Sequence, residues 1–93
     1  MTDRPDAVDD RQPLLPRVLI VDDDRDFAAD IAMVLGREYE VRALEDPDQA
    51  VVLHREGWPD VVLLDIEFPA HDGLEVLAEL QTIDAGIPVV MLT

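Results

Sequence analysis

The sequence predicts an α/β fold: an open parallel sheet with helices on both faces. Three observations carry this. Val18–Val21, Val61–Leu64 and Val89–Leu92 are unbroken apolar runs rich in β-branched residues, the pattern of strands buried on both sides. Helix-period segments with capping residues separate the strands, giving the order β-α-β-α-β-α-β. The first two runs stop abruptly in carboxylate, at Asp22-Asp23-Asp24 and at Asp65. Those positions are the carboxyl ends of strands, where an open α/β sheet keeps its ligand crevice.

Each element has its own signal. Residues 1–16 hold Pro5, Pro13, Pro16 and four Asp, and read as a flexible acidic leader. Leu14-Leu15 could fold back onto a domain that starts near Arg17 and runs to Thr93. After the first strand, Asp24 is placed to cap a helix whose Phe27, Ile31, Val34 and Leu35 fall at i, i+4, i+7 and i+8. Gly36 suits its end. Tyr39 to Leu44 alternates weakly through Tyr39, Val41 and Ala43, as a shorter strand would. Asp46-Pro47-Asp48-Gln49 joins a capping Asp, a first-turn Pro and a Gln three residues on. That second helix runs through Ala50 and Leu53 to Gly57, and Trp58-Pro59 breaks it. Asp72 and Glu75 have capping-box spacing at the head of a third helix, Leu74 to Gln81, with Leu74, Leu77 and Leu80 on one face. Gly86 and Pro88 turn the chain into the last strand. No internal repeat is visible.

Composition narrows the chemistry. Ninety-three residues with 48% hydrophobic content suit one domain with a real core. There is no Cys, which excludes disulfides, thiolate catalysis and cysteine-ligated zinc. Ser is absent, and all seven basic residues are Arg. Without lysine there is no Walker-type phosphate loop and no Schiff base. A net charge of −15 argues against nucleic-acid binding by this segment and favours cations or a basic partner surface. The apolar runs are far short of a membrane span and the acidic start is wrong for a signal peptide, so the expectation is a cytoplasmic protein with no membrane contact.

The acidic strand ends are the candidate site. If the first and third strands are neighbours, Asp22, Asp23 and Asp65 form a concentrated oxygen site for a hard cation such as Mg2+, which prefers carboxylates, water and substrate phosphate. Three carboxylates so close repel one another and raise the proton affinity of at least one, unless a cation sits among them. A carboxylate in such a site can attack phosphorus and form an acyl phosphate. The other acids have simpler readings: Asp24 and Asp72 as helix caps, and Glu67 either as a metal-facing carbonyl or as a solvated loop acid. His54 and His71 lack ligand spacing and are expected at the surface. Trp58 is expected to pack at a helix exit.

Val21-Asp22-Asp23, Leu64-Asp65, Phe68-Pro69, Asp72-Gly73-Leu74 and Val90-Met91-Leu92-Thr93 together resemble the landmarks of the receiver domain of two-component response regulators, in order and at compatible spacing over residues 17–93. The resemblance implies a flavodoxin-like parallel sheet of strand order 2-1-3-4. It implies that Asp65 is the phospho-acceptor, that Asp23 binds Mg2+ directly and Asp22 through water, and that Glu67 offers its backbone carbonyl. Thr93 matches the switch hydroxyl, and Pro69 and Gly73 shape the neighbouring loop. The phosphodonor would be a sensor histidine kinase, and the module would signal rather than act as an enzyme.

The family also uses a lysine on a fifth strand, and both are missing here. The expectation is therefore a C-terminally truncated receiver, weakly phosphorylated, whose fourth strand is an exposed edge open to self-pairing into a homo-oligomer. The stretch Leu80 to Thr93 is most similar to receivers of transcription activators, which implies a DNA-binding output domain outside this segment. Two other readings exist. A haloacid-dehalogenase-like phosphohydrolase would use Asp22, Asp24 and Thr93 but leaves Asp65 unexplained. An unphosphorylated decoy would dock on a kinase or an intact receiver through Phe27 and Ile31.

Overall fold

The computed structural model describes residues 15–68 and 71–92. Its element order is β1 (Arg17–Val21), α1 (Arg25–Leu35), β2 (Glu40–Leu44), α2 (Pro47–Arg55), β3 (Val61–Asp65), β4 (Glu67–Phe68), β5 (His71–Asp72), α3 (Gly73–Ile83) and β6 (Val89–Leu92). The four long strands form one parallel sheet in the order β2-β1-β3-β6. This is the expected 2-1-3-4 arrangement, with β6 as the fourth long strand. β4 and β5 add a small antiparallel pair, Glu67 opposite Asp72 and Phe68 opposite His71. Strands of two residues are too short to show a period, so nothing in the sequence announced them. The leader through Leu14, together with Pro69 and Thr93, lies outside the described residues. No helix among the described residues is long and apolar enough to cross a membrane.

Side chains alternate across a strand, and the core splits accordingly. Leu19, Val21, Val62 and Leu64 pack on one face with Ala50, Val51, Val76, Leu80 and Ile87, under α2 and α3. Val18, Ile20 and the half-buried Val61 and Leu63 turn to the other face, where Ala28, Ile31, Ala32 and Leu35 of α1 meet them. Helices on both sides explain why the strands read as continuous apolar runs. All three helices start on an aspartate in extended backbone. Asp24 accepts the Phe27 N–H at 3.1 Å, Asp46 the Asp48 N–H at 2.9 Å, and Asp72 the Leu74 N–H at 2.9 Å. Gly57 takes φ +79° just beyond α2, a left-handed value suited to glycine at a helix exit.

The helix faces differ in detail from the sequence expectation. In α1 the sheet covers the face of Ala28, Ile31, Ala32 and Leu35. Phe27 and Val34, at the margin of that face, stay 45% and 68% exposed. In α3 the buried side is Gly73, Val76 and Leu80, and Leu74 is exposed. His54, expected at the surface, is 4% exposed. It follows Pro47, Ala50 and Val51 on the buried side of α2, so helical spacing puts it between α2 and α3. There its Nε2 lies 3.1 Å from the Leu80 carbonyl oxygen. An oxygen partner requires the proton on Nε2, which leaves the buried Nδ1 without a hydrogen bond. Trp58 packs at the exit of α2 as expected, with Arg42 stacked 4.6 Å from its ring centre.

Gly73 is where α3 crosses the tip of β3. Its N–H donates to the Ile66 carbonyl at 3.2 Å. An added Cβ would lie 2.5 Å from the Ile66 oxygen and 2.6 Å from its Cα, contacts no side chain can occupy. Alanine is the better helix former, but this clash outweighs its propensity gain of about 1 kcal/mol. Gly73→Ala is therefore expected to cost about 1–3 kcal/mol in urea unfolding. Leu74→Ala, one residue on and exposed, should cost about 0.5 kcal/mol or less. Equal stabilities for Gly73→Ala and the parent chain would contradict the close approach.

Candidate functional site

β1 and β3 lie side by side with Val21 opposite Leu64. The next positions on the two strands are Asp22 and Asp65, so the register itself brings the acids together. Carboxylate oxygens of Asp22, Asp23 and Asp65 all lie within 4.8 Å of one another. Asp22 is buried, Asp65 half-buried and Asp23 exposed. They occupy the floor and wall of an open cleft of about 630 Å3, completed by Asp24, Phe27, Glu67, Phe68 and Leu92.

Local hydrogen bonds fix each acid. The Asp22 N–H continues the β1–β2 ladder to the Leu44 carbonyl at 3.0 Å. Its Oδ1 accepts the Asp24 N–H at 2.9 Å. Asp24 turns away to cap α1, as its sequence context indicated. The Asp65 Oδ1 accepts the Glu67 N–H at 3.1 Å, which closes the loop beyond β3 over its own strand end. The Ile66 N–H donates to the Leu92 carbonyl at 3.2 Å, so β6 supports that loop from the side.

The electrostatics are one-signed. None of the described residues lining the cleft is basic. Arg25, the nearest arginine in sequence, pairs instead with Glu45. Burial pushes the Asp22 carboxyl above its ordinary 3.8; the charges of Asp65 and Asp23 and a hydrogen bond shared with Asp65 push the same way, against the Asp24 N–H. Burial first, and the two facing acids after it, thus favour the neutral form of Asp22, and a cation among the three carboxylates would relieve that opposition. The donor set fits Mg2+: all oxygen, mostly carboxylate, open on one side for water and a phosphate.

Asp22, Asp23 and Asp65 are thus brought together, and Glu67 lines the same cleft. Thr93 and Pro69 lie outside the described residues. The Asp22–Asp24 pair required of a dehalogenase-like site is not what assembles, since Asp24 is a helix cap and Asp65 is the third acid. Sequence reasoning missed two things. Phe27 was read as part of the apolar stripe of α1 and as a docking contact, but it lines the cleft. Asp46, Asp48 and His71 also cluster within 4.8 Å, with His71 Nε2 3.7 Å from Asp48 Oδ2. That contact joins the start of α2 to β5, and no local spacing could reveal it.

Known proteins agree with this geometry. The family described as Response regulator receiver domain matches residues 18–93. The DNA-binding response regulator MtrA of Mycolicibacterium paratuberculosis is 41% identical over 78 residues, 83% of this chain and 34% of that protein. The transcriptional regulatory protein PrrA of Mycobacterium tuberculosis is 38% identical over 79 residues, 84% of this chain and 34% of that protein. The chain therefore spans about a third of the length of these relatives. Among solved structures, a CheY-like receiver domain protein from Methanospirillum hungatei superposes with TM-score 0.78 at 28% identity, over 83% of this chain and 62% of its own. A response regulator from Burkholderia pseudomallei, described with a phosphorylated aspartic acid, a calcium ion and citrate, superposes with TM-score 0.76 at 26% identity, over 84% of this chain and 46% of its own. With the fold, the acidic strand tips and the sequence match in agreement, the chain belongs to the response regulator receiver domain family.

Proposed function

We propose that this segment is the phosphoacceptor module of a two-component system, taking a phosphoryl group from a sensor histidine kinase onto Asp65. The observation that carries the reading is the meeting of Asp22, Asp23 and Asp65 at two adjacent strand tips. The Burkholderia pseudomallei relative, described with both a phosphorylated aspartic acid and a calcium ion, supports the same pairing of acid and cation here. Mg2+, when bound, supplies charge neutralisation among the acids and an electrophilic contact to the phosphoryl oxygens.

The protein's own groups do the rest. Asp65 is the nucleophile: a carboxylate oxygen attacks phosphorus, the bond to the donor nitrogen breaks, and an acyl phosphate forms on Asp65. The Glu67 N–H holds the Asp65 Oδ1 and so points the other oxygen for attack. Asp23 would hold the metal directly and Asp22 through water, with the Glu67 carbonyl as a further donor. Thr93, outside the described residues, is assigned the switch hydroxyl through its match to the family landmark. Phosphoryl transfer asks mainly for positioning and charge neutralisation, and these residues supply both. These 93 residues contain no lysine, so among them only a bound metal would offset the added negative charge. We place DNA binding, named for MtrA, outside this segment, since −15 charges repel a phosphate backbone.

Three outcomes are expected. With acetyl phosphate and Mg2+, intact mass should show one slowly formed phosphate adduct, absent in Asp65→Asn; an adduct that survives Asp65→Asn would sink the reading.

The raised Asp22 carboxyl sets a pH dependence. Its proton is held more tightly in the fold than in the unfolded chain, so its contribution to stability is full below 3.8 and lost as pH climbs through the raised value. Asp22→Asn keeps the acceptor for the Asp24 N–H and removes the charge. In chelator at pH 7 the variant should melt above the parent, the gap should close toward acid pH, and Mg2+ should stabilise the parent more. A variant that melts lower in chelator at pH 7 would contradict the crowding of charge.

β6 is an edge strand of the described sheet with Val90 half-exposed. For these 93 residues alone, sedimentation should show self-association that rises with concentration. A clean monomer throughout would refute it.

A further inference from the structure

Phe27 is a large apolar side chain that the core does not use. It belongs to neither face of the packed interior, where α1 contributes Ala28, Ile31, Ala32 and Leu35. Isolated exposed apolar residues are ordinary, and Met33 and Val34 on the same helix are more exposed still. Phe27 differs in its place. It lines the acidic cleft, with Phe68 and Leu92 as the other apolar residues of a wall otherwise made of acidic ones. Its backbone is held there, because the Asp24 cap accepts the Phe27 N–H at 3.1 Å. Asp24 is the residue directly after Asp23, so one short segment sets the metal-site acids and the ring together.

An apolar rim around a charged floor excludes loosely bound water while leaving the floor's own ligands in place. The reaction it would affect is loss of the phosphoryl group. A water oxygen attacks phosphorus, the bond to the Asp65 oxygen breaks, and its electron pair returns to the carboxylate. Phosphate leaves carrying the water's protons. We infer that Phe27 shields the aspartyl phosphate: its ring, set at the rim of the cleft by the Asp24 cap, slows attack of water on a phosphoryl group carried by Asp65. This deepens the acceptor reading and rests on it. Phe27 acts by limiting solvent access and neither binds the metal nor takes a proton.

The test compares the parent chain with Phe27→Ala and Phe27→Leu. Each is loaded with acetyl phosphate and Mg2+, the donor is removed, and the adduct is followed by intact mass. Phe27→Ala should lose phosphate roughly three- to tenfold faster, and Phe27→Leu, which restores apolar bulk, should stay near the parent rate. Thermal midpoint and Mg2+ affinity should be unchanged in both. Decay of Phe27→Ala at the parent rate overturns the shield. So does faster decay matched by an equal loss of Mg2+ affinity, which would put the ring's effect in the metal pocket. A parent chain that never gains an adduct, or gains one that persists in Asp65→Asn, overturns the acceptor reading instead, and the shield with it.

Discussion

The register between β1 and β3, with Val21 facing Leu64, is the constraint from which the site follows. Hydrogen bonds along two parallel strands leave no freedom in which residues come next. Once the apolar pairs are buried, Asp22 and Asp65 must end up beside each other. The same burial that stabilises the strands strips water from Asp22 and holds it against two further acids. Folding energy from the apolar runs thus maintains a cluster of like charges that would disperse in a flexible chain. Such a conflict between local stability and global fold is the expected mark of a functional position.

The caps give this crowding its shape. Several of the acids near the strand tips are already engaged by backbone N–H groups. Asp24 and Asp72 start helices, and one oxygen of Asp22 and one of Asp65 tie down the loops that follow them. The second oxygens of Asp22 and Asp65, with the Asp23 carboxylate, are left for a cation. The wider field points the same way, since a chain of net charge −15 concentrates cations around itself and holds off phosphate-bearing molecules. A divalent cation in the cleft would offset most of the charge of its three acids.

The sequence made some of this legible, for physical reasons. Four-residue apolar runs that end in aspartate are local patterns, so the strands and their acidic tips could be read directly. The three capping aspartates were equally plain, because an N-cap needs only its own first turn. What the sequence could not show was how wide a helix face the sheet covers. Phe27, Val34 and Leu74 sit on apolar stripes and yet remain exposed, while Ala28, Val76 and Leu80 are the buried positions of the same helices. His54 was legible in principle through its spacing from Ala50 and Val51, but polarity argued for the surface and its acceptor, the Leu80 carbonyl, is 26 residues away. The β4–β5 pair and the meeting of His71 with Asp48 depend on contacts between separate elements, and no single-strand period carries that information.

The bare contact between Gly73 and Ile66 has a mechanical consequence. Ile66 directly follows Asp65, and Gly73 opens α3, so backbone rests on backbone with no side chain between them. Side chains can absorb a small displacement by changing rotamer; two main chains in contact cannot. Any adjustment of the β3 tip would reach α3 undamped and move the helix as a rigid rod. The far end of that rod is the Leu80 turn, where the buried His54 joins it to α2. The acidic tip and the buried His54 contact are thus joined through one helix.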